Sequence, residues 1–337
     1  MKLGQFDYRP VNATLKSKCI IKCEPEPPVR SAYMKRLREH DDTRKVYEID
    51  PYVEVYQFRD NLFCLFSESL CGVADQWSFV LTGPEKALVI DTGFPVGNLK
   101  GLVEELIGDL PYDVVNTHGH EDHAGGNCQF DRVYCHKYDI PAVKEMEGPH
   151  FVDHLLDGDG KPKYTEFDLN DLVPYRDYEL VGIEDGYVFH LGQGYDVEVI
   201  HCPGHSAGSI CLLDRQNRIL FGGDEMCIGV LHMGFLERDD PYFRYTTVQS
   251  LRDGLVNVMK HRDEFDGIFP SHGILDVGAD WVQDILDTCN EIIEDPERCD
   301  ARMPAFVGMG DYDTLPPRYC KKIHDSGYIT YNLDQVM

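Results

Sequence analysis

The sequence predicts an α+β fold in which two sheets pack together with helices on the outside. Three observations point there. Short strand-like runs outnumber helical runs in each half, an amphipathic helix closes each half, and no internal repeat is visible. With 337 residues, of which 42% are hydrophobic, the chain also has the length and composition to bury a large core.

Residues 1–50 read as an N-terminal arm. They carry the proline-rich CEPEPPVR, an interrupted helical pattern over 31–40 and the charged run REHDDTRK. From Tyr52 the texture changes to strands, YVEVYQF, NLFCLF, WSFVLT and KALVID, separated by turn residues. The segment 98–107 predicts a helix with Leu99, Leu102, Val103 and Leu106 on one face, and DVVNT at 113–117 is a strand. The irregular stretch 138–185 reads as an insertion with a helical piece, lid-like in character. Strands resume with GYVFHL, YDVEVIH, GSICLLD and RILFGG; helices follow over 248–260 and 281–293, with the strand DGIFP between them. The expected organisation is an arm at 1–50, a domain at 51–297 containing the insertion, and a C-terminal extension at 298–337.

The formal net charge is −27, so the average surface repels phosphate backbones and anionic lipid. Nucleic acid and membrane are therefore not expected partners, and no stretch approaches the ~20 apolar residues of a membrane span. The N-terminal segment MKLGQFDYRPVNATLK lacks the apolar run of a signal peptide, so the twelve cysteines predict reduced thiols in the cytoplasm. Cys19 and Cys23 form a CxxxC pair with no second pair nearby, which favours ordinary thiols over a metal site. The arm's Tyr8, Ile20, Ile21, Tyr33 and Met34 lie in a segment too extended to form a core alone, and docking through them onto a second copy, as a homo-oligomer, is the expectation.

The chemistry concentrates in Asn116-Thr-His-Gly-His-Glu-Asp-His-Ala-Gly-Gly-Asn127, at a strand end. His118, His120, Asp122 and His123 fall within six residues, a density that suits Zn²⁺, or Fe or Mn with added oxygen ligands. Further along, His205 in CPGHSAGS, Asp224 ending RILFGGD and His272 in IFPSHG each follow an apolar strand. Taken singly, each is an ordinary turn residue. Together with the loop they make seven donors, too many for one tetrahedral zinc and suited to two ions sharing a carboxylate. Asp91, ending ALVIDTG, is placed to orient a ligand histidine from behind.

At VIDTG, THGHEDHAGG, CPGHSAGS, LFGGD and PSHG, in that order over about residues 52–295, the chain resembles the metallo-β-lactamase-fold hydrolases. The resemblance implies an αββα sandwich with the metals at one edge between the sheets. It assigns His118, His120 and His205 to a first ion and Asp122, His123 and His272 to a second. Asp224 would bridge them together with a water or hydroxide. Two cations bring that water's pKa to around neutrality and polarise a carbonyl, and Asp122 is placed to pass a proton toward the leaving group. Zinc is the first expectation for both ions, with manganese or iron accepted by the same donors.

Within the resemblance, several branches fit poorly. The β-lactamases of this fold are usually exported, and several carry cysteine where Asp224 stands. RNA-processing members want a basic surface. The oxygen- and nitric-oxide-reducing members carry Glu at the position of His120, together with a flavodoxin domain. What remains is hydrolysis of a small thioester, lactone or ester: CPGHSAGS and LFGGD are similar to glyoxalase II, and HGHEDHAGG also resembles the quorum-signal lactonases. Hydrolytic C–C opening of a cyclic β-diketone, di-metal redox chemistry and a non-catalytic binding protein on the same fold are the alternatives, although a binding protein would be expected to have lost ligands. Arg318, Lys321 and Lys322 are the only local candidates for a basic cluster near the C-terminus. The segment 225–245 follows Asp224, and His232, Tyr242, Arg244 and Tyr245 in it are expected substrate contacts, the bland reading being aromatics that pack under a loop. His150 and His154, four residues apart in the insertion, read as a solvated face.

Overall fold

The apolar runs of the first half pair into an eight-stranded sheet in the computed structural model, which describes residues 20–21, 28–72, 75–148, 150–234, 236–303 and 317–337. Across the sheet the order is Glu179–Ile183, Arg132–His136, Tyr112–Val115, Ala87–Ile90, Gln76–Thr82, Leu62–Ser67, Asp50–Arg59 and Lys45–Tyr47. The first four run parallel and the rest antiparallel. A six-stranded sheet follows from the second half, in the order Val188–His190, Asp196–His201, Ile210–Asp214, Ile219–Gly223, Gly267–Pro270 and Val277–Gly278.

The two sheets face each other across one apolar layer. Tyr56, Leu62, Phe66, Trp77, Phe79 and Ile90 from the first meet Val197, Val199, Leu212, Phe221 and Phe269 from the second. The Phe79 and Phe221 rings lie 5.0 Å apart at the centre. Outside the first sheet, the helix Leu99–Ile107 lays Leu99, Leu102 and Val103 on Val53, Leu65, Val80 and Val89. It starts where the Asn98 side chain accepts from the Gly101 amide and ends at Gly108, whose φ of 64° lies in the left-handed region. Outside the second sheet, the helices Val248–Met259 and Trp281–Glu294 cover Leu213, Leu220 and Ile268. Both faces of each sheet are thus buried, which is why the central strands read as unbroken apolar runs rather than as alternation. The architecture is the expected αββα sandwich.

Two segments outside the central strands are woven into the sandwich. Within the stretch 138–185 the last strand, Glu179–Ile183, pairs along its length with Arg132–His136 as part of the main sheet. Short helices at Ile140–Glu145, Phe151–Leu155 and Leu169–Asp171 fill the rest. The C-terminal extension is integral too: Arg318–Ile323 and Gly327–Tyr331 form a hairpin whose Ile323, Ile329 and Tyr331 join the core beneath the two outer helices. That hairpin removes two basic residues from the surface. Arg318 is 2% exposed and donates to the Met233 and Thr330 carbonyls and to Gln335, while Lys321 pairs with Glu291 at 2.9 Å.

The later part of the arm docks on its own chain. The helix Pro28–His40 buries Met34 in the inter-sheet core, and the Tyr33 hydroxyl accepts from the Leu275 amide. Arg38 and Arg44 both reach the buried Glu54 carboxylate. Tyr33 and Met34 are therefore used within one chain. The strand Ile20–Ile21 pairs with Thr165–Glu166; Tyr8, Cys19 and Cys23 lie outside the described residues. Among the described residues no helix is long and apolar enough to cross a membrane, and no disulfide forms.

Candidate metal centre

Every predicted donor follows the C-terminal end of a strand at one edge of the sandwich. Tyr112–Val115 leads into His118, Asp196–His201 into His205, Ile219–Gly223 into Asp224 and Gly267–Pro270 into His272. In the first loop the chain bends over residues 117–120, with His120 itself extended, and then enters the single turn Glu121–Ala124, whose Ala124 amide donates to the His120 carbonyl. His118 and His120 gather with His205, Asp122 and His123 gather with His272, and the His118 and His123 rings lie 4.0 Å apart where the two sets meet.

Three donor groups result, His118/His120/His205, His118/His123/Asp224 and Asp122/His123/His272, with the donor atoms in each group within 4.8 Å of one another. His120 Nδ1 lies 3.0 Å from His118 Nε2 and 2.9 Å from His205 Nε2. His272 Nε2 lies 3.2 Å from His123 Nε2 and 3.3 Å from Asp122 Oδ2. Asp224 stands between the two sets, with Oδ2 at 3.2 Å from both His205 and His272 and Oδ1 at 3.4 Å from His123.

Four of the histidines have their outer nitrogen committed to an acceptor. His123 Nδ1 donates to Asp91 Oδ2, His205 Nδ1 to the His232 carbonyl and His272 Nδ1 to the Asp75 carbonyl. His118 Nδ1 faces Thr117 Oγ1, whose own proton goes to Asp91. Each Nε2 is thereby aimed at the centre, and offers a lone pair there when the ring is neutral. Asp224 Oδ1 is buried and has no hydrogen-bond partner. Inward-facing imidazole nitrogens around an orphaned carboxylate oxygen fit divalent ions and fit little else.

The charge balance agrees. Burial favours the neutral form of Asp122, but His123 and His272 outweigh it and hold the carboxyl well below its usual range; histidines around Asp224 do the same there. Against the opposing effect of burial, the carboxylates of Asp122, Asp224 and Asp91 raise His123 to about 10. Burial takes His205 down to about 4 and pushes His118 well below its ordinary value. A cation at this centre supplies the positive charge that protons on His123 and His272 otherwise supply.

The remaining expected residues have clear places. Asp91 is fully buried and holds His123, the Thr117 amide and hydroxyl, and the Ser271 hydroxyl. His232 meets the cluster through its backbone carbonyl, and its ring contacts Thr330 Oγ1 at 2.7 Å. Tyr242 and Tyr245 flank Tyr138, at ring-centroid distances of 5.0 and 4.5 Å. Arg244 is exposed, lies over the Tyr245 ring and has no carboxylate partner among the described residues. His154 pairs with Glu121 and His150 with Asp153. Sequence reasoning passed over Tyr138 and Asp139, which follow the strand Arg132–His136, and the carbonyls that orient His205 and His272. A polar or aromatic pair just past a strand end is the only signal the first two leave.

A family model described as the metallo-beta-lactamase superfamily matches residues 71–252. The chain is 31% identical to the human protein named acyl-coenzyme A thioesterase MBLAC2, over 58% of this chain and 71% of that one. It is 28% identical to the hydroxyacylglutathione hydrolase GloC of Haemophilus influenzae, over 53% of this chain and 78% of that protein. A solved metallo-beta-lactamase from Pontibacter korlensis aligns with 70% of this chain and 97% of its own at 18% identity, with a TM-score of 0.48. The family match spans more than half of the chain and takes in six of the seven clustered donors, so the chain belongs to the metallo-beta-lactamase superfamily, as one of its hydrolases.

Proposed function

We propose that this protein hydrolyses a small thioester at a two-metal centre. His118, His120 and His205 would hold one ion, Asp122, His123 and His272 the other, and Asp224 would lie between them. The observation that carries the reading is the convergence of these donors with their outer nitrogens already hydrogen-bonded. The activities for which the two relatives are named direct it to thioesters. Zinc is the first choice for both ions, and the mixed His/Asp set also accepts manganese or iron. When bound, such ions supply a water that is acidic near neutral pH and a Lewis acid for a carbonyl oxygen.

The chain's own residues do the remainder. Water oxygen adds to the acyl carbon, the C–S bond breaks, and the products are a carboxylate and a thiol, with one proton delivered to sulfur and one released. Asp122, partly open to solvent, would carry the proton toward the leaving group. A thiolate leaves readily, so a single carboxylate meets the demand for an acid. Asp91 and the His232 and Asp75 carbonyls fix the imidazoles so that the centre does not reorganise during the reaction. Tyr138, Tyr242, Tyr245 and Arg244 would form a ledge for an anionic thiol carrier, where Arg244 offers a cation on an otherwise acidic protein.

The test is a panel of acyl-coenzyme A, acylglutathione, lactone and ester substrates, run with metal-loaded protein in ¹⁸O-water. Thioesters should turn over best, with one ¹⁸O atom in the carboxylate after a single turnover. Unlabelled product, or activity that survives complete metal removal, would overturn the reading.

A further inference from the structure

We propose that Asp139 is a positioning residue that locks together the two loops carrying His118, His120 and His205. Asp139 stands at the N-terminus of the helix Ile140–Glu145, where an aspartate commonly accepts from its own helix, yet it makes no such bond. Its side chain turns away from the helix and is buried, at 3% exposure. Oδ2 accepts from the Gly119 amide at 2.8 Å and from the Ser206 hydroxyl at 2.6 Å, and Oδ1 accepts from the Gly208 amide at 2.6 Å.

Gly119 lies between His118 and His120, and Ser206 follows His205. One carboxylate therefore bonds the first-half loop and the second-half loop at the same time. It also explains two glycines in the motifs. A Cβ on Gly208 would come within 2.6 Å of Asp139 Cγ, and one on Gly119 within 3.1 Å of Asp139 Cβ. The second donor set is oriented from elsewhere, His123 by the Asp91 carboxylate and His272 by the Asp75 carbonyl. The effect of Asp139 should therefore fall on one set of donors and spare the other.

The inference rests on the two-metal reading, and the experiment separates the two. Metal-free wild-type protein, Asp139→Asn and Ser206→Ala are titrated with cobalt(II) against a competing chelator. Binding is followed by visible absorption and by the paramagnetically shifted imidazole N–H protons, which report on each donor set. In Asp139→Asn an amide nitrogen faces an N–H or O–H donor, and affinity at His118/His120/His205 should fall about 10- to 100-fold, the usual cost of losing an outer hydrogen-bond partner. Affinity at Asp122/His123/His272 should change less than threefold. Ser206→Ala removes one of the three bonds and should weaken the same site by about three- to tenfold, which keeps the test open if Asp139→Asn folds poorly. Equal weakening at both sites, or wild-type affinity in either variant, would overturn the role of Asp139. Failure of wild-type protein to take up two cobalt ions would instead overturn the two-metal reading.

Discussion

His123 Nδ1 donates to Asp91 Oδ2 across 2.9 Å, and both side chains are completely buried. Asp91 holds this position with a backbone φ of 64°, a conformation an aspartate tolerates better than most residues. Its two oxygens also accept from Thr117 and Ser271. Strand end, metal-site loop and the strand before His272 thus meet at one carboxylate.

Asp91→Asn should keep the backbone conformation and lose the orientation of His123. An amide nitrogen in place of Oδ2 would oppose three donors at once. The expected outcome is a loss of about 10- to 100-fold in metal affinity at the Asp122/His123/His272 donors, measured by chelator competition. Unchanged affinity would mean that packing alone fixes the His123 ring.

Asp224→Ala should cost activity far more than folding. The apolar strand Ile219–Gly223 stays intact, Oδ1 has no hydrogen-bond partner to lose, and the neighbours of Oδ2 are the donor histidines His205 and His272 rather than the core. We expect kcat/KM to fall by more than ~100-fold, a ligand being worth more than its outer partners, with metal content below two per chain and a thermal midpoint close to that of metal-free wild type. Near-wild-type turnover with two metals would remove Asp224 from between the ions.

The sequence reveals the donors and Asp91 behind them but hides the other groups that aim them, for a physical reason. His118, His120, Asp122 and His123 carry their chemistry in adjacent side chains. His205, Asp224 and His272 follow apolar strands that are recognisable singly. Asp139 reaches Ser206 across 67 positions, and backbone carbonyls such as those of His232 and Asp75 have no residue identity to read. Two fold elements are equally hard to read. Glu179–Ile183 is five residues long beside an irregular polar stretch, and Arg318–Ile323 looks like a basic surface until its arginine is seen to be buried.

Arg244→Ala should raise KM for anionic thioesters and leave kcat nearly unchanged. A charge-assisted hydrogen bond contributes about 1.5–3 kcal/mol, so KM should rise roughly tenfold or more, less where water screens the contact. Steady-state kinetics with an anionic and an uncharged thioester check this. An equal change for both substrates would take Arg244 off the ledge.

Glu54 gives the pH dependence of arm docking. Its carboxylate is 3% exposed and accepts from Arg44, Arg38 and the Tyr56 hydroxyl. Burial pushes the Glu54 pKa up, but the two arginines and the tyrosine outweigh it and bring it below the usual glutamate value. A depressed folded pKa means that the ionised form is favoured by folding. The resulting stability is fully present above the unfolded pKa of about 4.3 and is lost as pH falls through the lower folded value. The helix Pro28–His40 should therefore loosen at pH below about 4, ahead of the sandwich core, where Phe79 and Phe221 pack ring against ring. Glu54→Gln should reproduce that loosening at neutral pH, because it leaves Arg44 at 8% exposure without its counter-charge. Removing one partner of a buried ion pair costs about 3–5 kcal/mol, and the partial exposure of Arg38 places this case toward the lower end. Hydrogen exchange over residues 28–44 reads the change directly: protection in the variant should fall there first and persist in the strands Gln76–Thr82 and Ile219–Gly223. Protection lost evenly across both regions would show that Glu54 belongs to the global folding unit and not to a separable arm.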